Sequence, residues 1–197
     1  MMFIASIVTG IGSAMFHGTL QLVHQQADET PMIWDVLYDQ DFARFGIRDS
    51  FVVALFTLVG IGFAALHAMF QLTVTFQFFF GILCWMCLFR IVGHYASVQD
   101  PRARAVARSS MRTVLVGFGL WLLDYHYCGY MQALPMNPQG HAWWHLLMGI
   151  GTYHGPVFMQ YVRAEQLRRK VKIVDTAFGL HSVVVDVHGE ELIRKEL

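Results

Sequence analysis

Five apolar stretches dominate this sequence: Met1–Val23, Phe51–Phe70, Val74–Tyr95, Thr113–Tyr130 and His141–Val162. Each is as long as a helix must be to cross the hydrocarbon core of a bilayer, about 20 residues with a range of about 17–25. Backbone amides deprived of water have to find their partners within such a segment, so these runs are expected to be membrane-spanning helices. Composition agrees. Charged residues make up 14% of the chain, against about 25% in an ordinary soluble domain. Phe (16), Met (11) and Gly (17) take their place. The formal net charge is zero, which removes bulk attraction to nucleic acid.

A sixth span, Pro31–Phe42, is short and carries Asp35, Asp39 and Asp41. Charge placement argues for it. Lys and Arg collect on the cytoplasmic side of membrane proteins. Only if Pro31–Phe42 crosses do Arg44 and Arg48, the loop Ala96–Arg112 with Arg102, Arg104, Arg108 and Arg112, and the basic segment after Val162 fall on one side. The acidic turn Asp28–Glu29 and the neutral loop Ala133–Gly140 then share the other. Arg90, in the last turns of its span, can snorkel to the cytoplasmic interface. The expected fold is an all-α polytopic transmembrane helix bundle with six spans over residues 1–165. A cytoplasmic tail follows over 166–197, part of it the alternating run HSVVVDV. The N-terminal run lacks a basic leader and a small-residue cleavage site, so it reads as a retained helix. Cys84, Cys87 and Cys128 all lie in apolar segments, which argues against a disulfide framework.

Ionisable groups inside a bilayer cost roughly 2.5–3.5 kcal/mol each at mid-span, so each one needs a partner or a role. Ser13 and His17 share a helix face in SAMFH. They are either hydrogen-bonded packing residues or part of a site. His141 and His145, at i and i+4 in HAWWH, can hold one metal ion or can sit in an interfacial aromatic belt. Asp28, just before Thr30–Pro31, reads as a helix cap or as a site carboxylate, with Pro31 opening the next helix. Asp124, in WLLDYHYC, bonds either a helix or a substrate hydroxyl. Together they say more. In the orientation above, His17, Asp28, His141 and His145 reach similar depth at the non-cytosolic end. Three protein ligands with an open fourth position is the pattern of catalytic zinc.

Cys84-Trp-Met-Cys87 has no second pair and reads as packing, and His67, His94, His126 and His154 read as packing or interfacial residues. Gly151-Thr-Tyr-His-Gly155 is most simply a close helix contact.

SAMFHGT, DETPM eleven residues after its histidine, WLLD and the late HAWWH together resemble the alkaline ceramidase family, over Ile11 to about Val162. The resemblance implies a seven-helix membrane enzyme that cleaves the ceramide amide to sphingosine and a fatty acid, in the endoplasmic reticulum or Golgi. It implies zinc held by His17, His141 and His145, with Ser13 and Asp28 completing the catalytic site. Trp121, Asp124 and Trp144 stand nearby as substrate-binding candidates. The mechanism it points to is attack of metal-activated water on the amide carbonyl, with Asp28 moving the proton. Ser13 either stabilises the oxyanion or acts as a nucleophile. The family's first helix, and the acidic luminal segment to which the resemblance assigns calcium, have no counterpart here. Met1 falls where the second helix would start, so the chain reads as truncated and calcium is not carried over. Phe76, Phe78, Phe79 and Phe80 either line a groove for hydrocarbon chains or face lipid. Two other readings stand: a progestin/adipoQ-receptor-like protein with the opposite orientation, and a non-enzymatic helical membrane protein.

Overall fold

The computed structural model describes residues 2–38, 49–136, 138–176 and 180–185. It is mostly helical: α1 (Met2–Thr19), α2 (Leu22–Tyr38), α3 (Asp49–Phe70), α4 (Thr73–Tyr95), α5 (Pro101–Ala133) and α6 (Gly140–Gln166) precede a two-stranded hairpin, β1 (Val171–Asp175) and β2 (His181–Val185). Among the described residues only α4 is both long and apolar enough to cross a membrane, and a shorter apolar helix, Thr57–Phe70, lies within α3. The other helices carry the polar residues singled out above.

The chain divides into two units, Met1–Phe89 and Arg90–Leu197. In the first, α1 lies along α2, and α2 meets α3. The α1–α2 approach depends on one residue. A Cβ added to Gly12 would sit 2.3 Å from the carbonyl oxygen of Ala27 and 2.7 Å from the backbone nitrogen of Asp28. Pro31 lies inside α2 and has no N–H to offer the carbonyl four residues back, which is that of Ala27. The carbonyl freed by the proline is therefore the one that the bare Cα of Gly12 admits. Aromatic packing continues through the unit, with Phe76 and Phe80 stacked at 5.8 Å and both buried, and Phe63 stacked on Phe79 at 5.3 Å. Phe78, by contrast, is 72% exposed.

The second unit is built on α5 against α6. Gly151 faces Val114 and Thr113 so closely that a Cβ would lie 2.5 Å from Val114 Cγ2, and Ser110 donates its hydroxyl to the Gly151 carbonyl at 2.8 Å. The expected close contact at Gly151–Gly155 is the seam of this pair. The hairpin packs onto α6. It is antiparallel, with Val171 opposite Val185 and Ile173 opposite Val183, and Ile173 joins Val98, Phe158 and Val162 in the core.

Three expected boundaries move. Helix α1 stops at Thr19 because Leu20 adopts a left-handed backbone, φ 57°, so Leu22 and Val23 belong to α2. Asp28 and Glu29 consequently lie within a helix, not in a turn, and Pro31 is interior to that helix and does not open it. The expected loop Ala96–Arg112 ends at Asp100, which caps α5 by accepting from the Arg102 N–H at 2.7 Å, with Pro101 in the first turn, and the arginines ride on that helix. Arg44, Arg48, the end of Pro31–Phe42 and residues 186–197 lie outside the described residues.

Candidate metal and hydrolytic site

In the N-terminal unit, the seam at Gly12 sets up a polar contact beside it. Ser13 follows Gly12 on α1 and Asp28 follows Ala27 on α2. Both are buried, and a side-chain hydrogen bond joins them. Asp28 Oδ1 has no partner, so the Ser13 hydroxyl donates to the other oxygen. One carboxylate oxygen is thus held and the other is left to accept. His17 stands one turn beyond Ser13, near the end of α1, with its ring 5.3 Å from that of Phe16.

Glu29, beside Asp28, makes a contact that sequence reasoning missed. It pairs with Nε2 of His67 on α3, and the His67 side chain is 1% exposed. The partners are 38 residues apart, and no spacing links them.

In the C-terminal unit, His141 and His145 occupy successive turns at the start of α6. Their Nε2 atoms lie 3.1 Å apart, with ring centroids at 4.8 Å. Two nitrogens bound at about 2.0–2.1 Å to one tetrahedral ion would be roughly 3.3 Å apart, so the pair already has the spacing of two ligands. The Trp144 ring lies 5.4 Å from that of His141 and 4.5 Å from that of His145, and Trp121 on α5 approaches Trp144 at 6.4 Å.

Asp124 fixes where this helix begins. Its Oδ2 accepts from the His141 backbone N–H at 3.2 Å, one of the N-terminal amides that a helix leaves unpaired. Gly140 makes room for the approach, since a Cβ there would lie 2.8 Å from the Leu120 carbonyl and 3.0 Å from Asp124 Cβ. Asp124 therefore works through the backbone of a candidate ligand. It also lines a cavity of about 280 Å³ with Leu120, Leu123, Met131 and Trp143.

The two imidazoles of His141 and His145 are donors suited to zinc, and too soft for calcium or magnesium, which take oxygen ligands.

Comparison with known proteins adds an independent line. A family model described as Ceramidase matches residues 1–186. An alkaline ceramidase of Arabidopsis thaliana is 36% identical over 169 residues, covering 83% of this chain and 65% of the relative. Alkaline ceramidase 3 of Mus musculus is 27% identical over 197 residues, covering 93% and 73%. Alkaline ceramidase YPC1 of Saccharomyces cerevisiae is 29% identical over 187 residues, covering 79% and 59%. The chain thus spans about two thirds of the length of these curated relatives.

Proposed function

The chain belongs to the ceramidase family, and from that membership we propose that it is a multi-pass membrane amidohydrolase that cleaves ceramide to sphingosine and a fatty acid. The observation that carries the reading is the paired imidazole of His141 and His145 at ligand spacing in a chain of this family. The resemblance of SAMFHGT to the family gives His17 as the third residue that would hold zinc, and zinc so held would supply Lewis acidity to water and to the amide carbonyl.

The chain's own residues divide the remaining work. Asp28 accepts a proton from the attacking water at Oδ1 and delivers it to the leaving nitrogen as the C–N bond breaks. The products are a fatty acid carboxylate and the sphingosine amine. Ser13 holds the second oxygen of Asp28 and so aims the first. Once Asp28 has taken its proton, the single O–H of Ser13 can turn to the charge developing on the carbonyl oxygen. Its hydrogen bond to a carboxylate suits these roles better than that of a covalent nucleophile. Trp121, Trp144 and Asp124, grouped around the start of α6, contact the substrate's polar end.

The chain crosses the bilayer six times over residues 1–165, with residues 166–197 on the cytoplasmic side, in the endoplasmic reticulum or Golgi. Large apolar side chains exposed on several helices support this: Ile7 and Ile11 on α1, Leu58 on α3, Phe78 and Phe89 on α4 and Val116 on α5. Exposed apolar side chains in such number mark contact with lipid or a partner.

The test is to incubate the membrane-embedded protein with ceramide, with and without a zinc chelator. Free sphingosine that disappears on chelation is expected. No sphingosine under either condition refutes the activity, and release that ignores the chelator refutes the metal.

A further inference from the structure

A second pair of facing imidazoles lies wholly within the C-terminal unit. His154, on α6, is 3% exposed. Its Nε2 lies 3.3 Å from Nδ1 of His181, the first residue of β2. Its Nδ1 lies 3.1 Å from Ser109 Oγ on α5. The other nitrogen of His181, Nε2, lies 3.3 Å from Oδ1 of Asp175, the last residue of β1. The two rings are 5.3 Å apart and tilted by 58°, close to the 4.8 Å and 69° of His141 and His145.

Two features suit the pair to a cation between the inner nitrogens. The separation of 3.3 Å equals the edge of roughly 3.3 Å that two imidazole ligands span on a tetrahedral ion. The tautomers also fit. If both inner nitrogens ligate, each ring carries its proton on the outer nitrogen, and each outer N–H has an oxygen waiting: Ser109 Oγ for His154 and Asp175 Oδ1 for His181. An oxygen acceptor behind each ligating histidine is the usual support of a metal site.

We propose that His154 Nε2 and His181 Nδ1 form a second divalent-cation site, for zinc or a neighbouring d-block ion, that pins the C-terminal hairpin to α6. Two imidazoles exclude magnesium and calcium. Solvent completes the coordination, since His181 is 28% exposed. The site stands independently of the amidase reading. The hairpin keeps other anchors without it: Ile173 is in the core, and its carbonyl accepts from Arg102 at 3.4 Å. Substitution of His181 should therefore leave the fold intact.

The experiment is zinc titration of the purified, chelator-stripped full chain by calorimetry, with cobalt(II) absorption as a second readout. Wild type is expected to bind two zinc ions, His181→Ala one, His145→Ala one and the double variant none. Asp175→Asn should weaken the His181-dependent ion by about 10–100-fold. Equal stoichiometry in wild type and His181→Ala overturns the second site. A single wild-type zinc lost only in His145→Ala also overturns it and leaves the first site standing. A single zinc lost only in His181→Ala upholds the second site and sinks the first.

Discussion

Replacing Gly12 with alanine tests whether the α1–α2 seam sets the geometry of the hydrolytic site. The added Cβ would lie 2.3 Å from the Ala27 carbonyl oxygen and 2.4 Å from its carbon. A carbon–oxygen contact settles at roughly 3.3 Å, so the helices must part by about 1 Å along that line. Both contacts are with backbone, so no side chain can swing aside. The stability cost of such overpacking is about 1–3 kcal/mol. The functional cost is larger, because the displaced residues are next to Ser13 and Asp28. A shift of about 1 Å in a reacting group reduces rate by roughly 100-fold. Two controls lie on the same helix: a Cβ at Gly10 or Gly18 meets nothing within 4 Å. Sphingosine release from ceramide by each variant, normalised to protein in the membrane, is the assay. Gly12→Ala should lose about two orders of magnitude while Gly10→Ala stays near wild type. Equal rates in the two variants would refute the idea that this seam positions the carboxylate.

Asp28→Asn should retain zinc, measured by metal analysis, and lose about 100–10,000-fold in turnover, because the amide cannot take the proton that the proposed mechanism assigns to Oδ1. Asp124→Ala should lower stability by about 1 kcal/mol, since the first turn of α6 loses its acceptor. Asp124→Asn keeps that acceptor and should lose much less, both read by thermal unfolding in detergent. His145→Ala should remove the hydrolytic metal and sphingosine release while membrane insertion, followed by carbonate extraction, is unchanged.

The long apolar runs made α3 and α4 legible to within two residues at either end, and α6 at its start, though α6 runs four residues past Val162 to Gln166. The helix stops were not legible. Leu20, Gln71 and Arg168 take the left-handed conformation just past α1, α3 and α6, where glycine usually announces the end of a helix. With no glycine at Leu20, the sequence runs α1 on to Val23 and pushes Asp28 into a turn. The start of α5 was missed, because the arginines look like a loop when apolar runs are the guide; Asp100–Pro101, a cap followed by a proline, is the signal that could have placed it. The paired histidines of HAWWH follow from helical spacing alone. Pairings that depend on tertiary contact, Glu29 with His67 and His154 with His181, leave no trace in spacing. Asp124 was recognised as needing a partner. That the partner is the backbone of His141 depends on Gly140 admitting it, which only packing reveals.

The most direct test of the hydrolytic metal site is its zinc affinity in His17→Ala, measured by chelator competition in a His181→Ala background so that one class of site is read. Loss of a supporting residue already weakens metal sites by about 10–100-fold, so loss of a ligand should exceed about 100-fold and abolish sphingosine release. An affinity equal to that of the protein with His17 intact would contradict the three-histidine site and, with it, the hydrolytic mechanism.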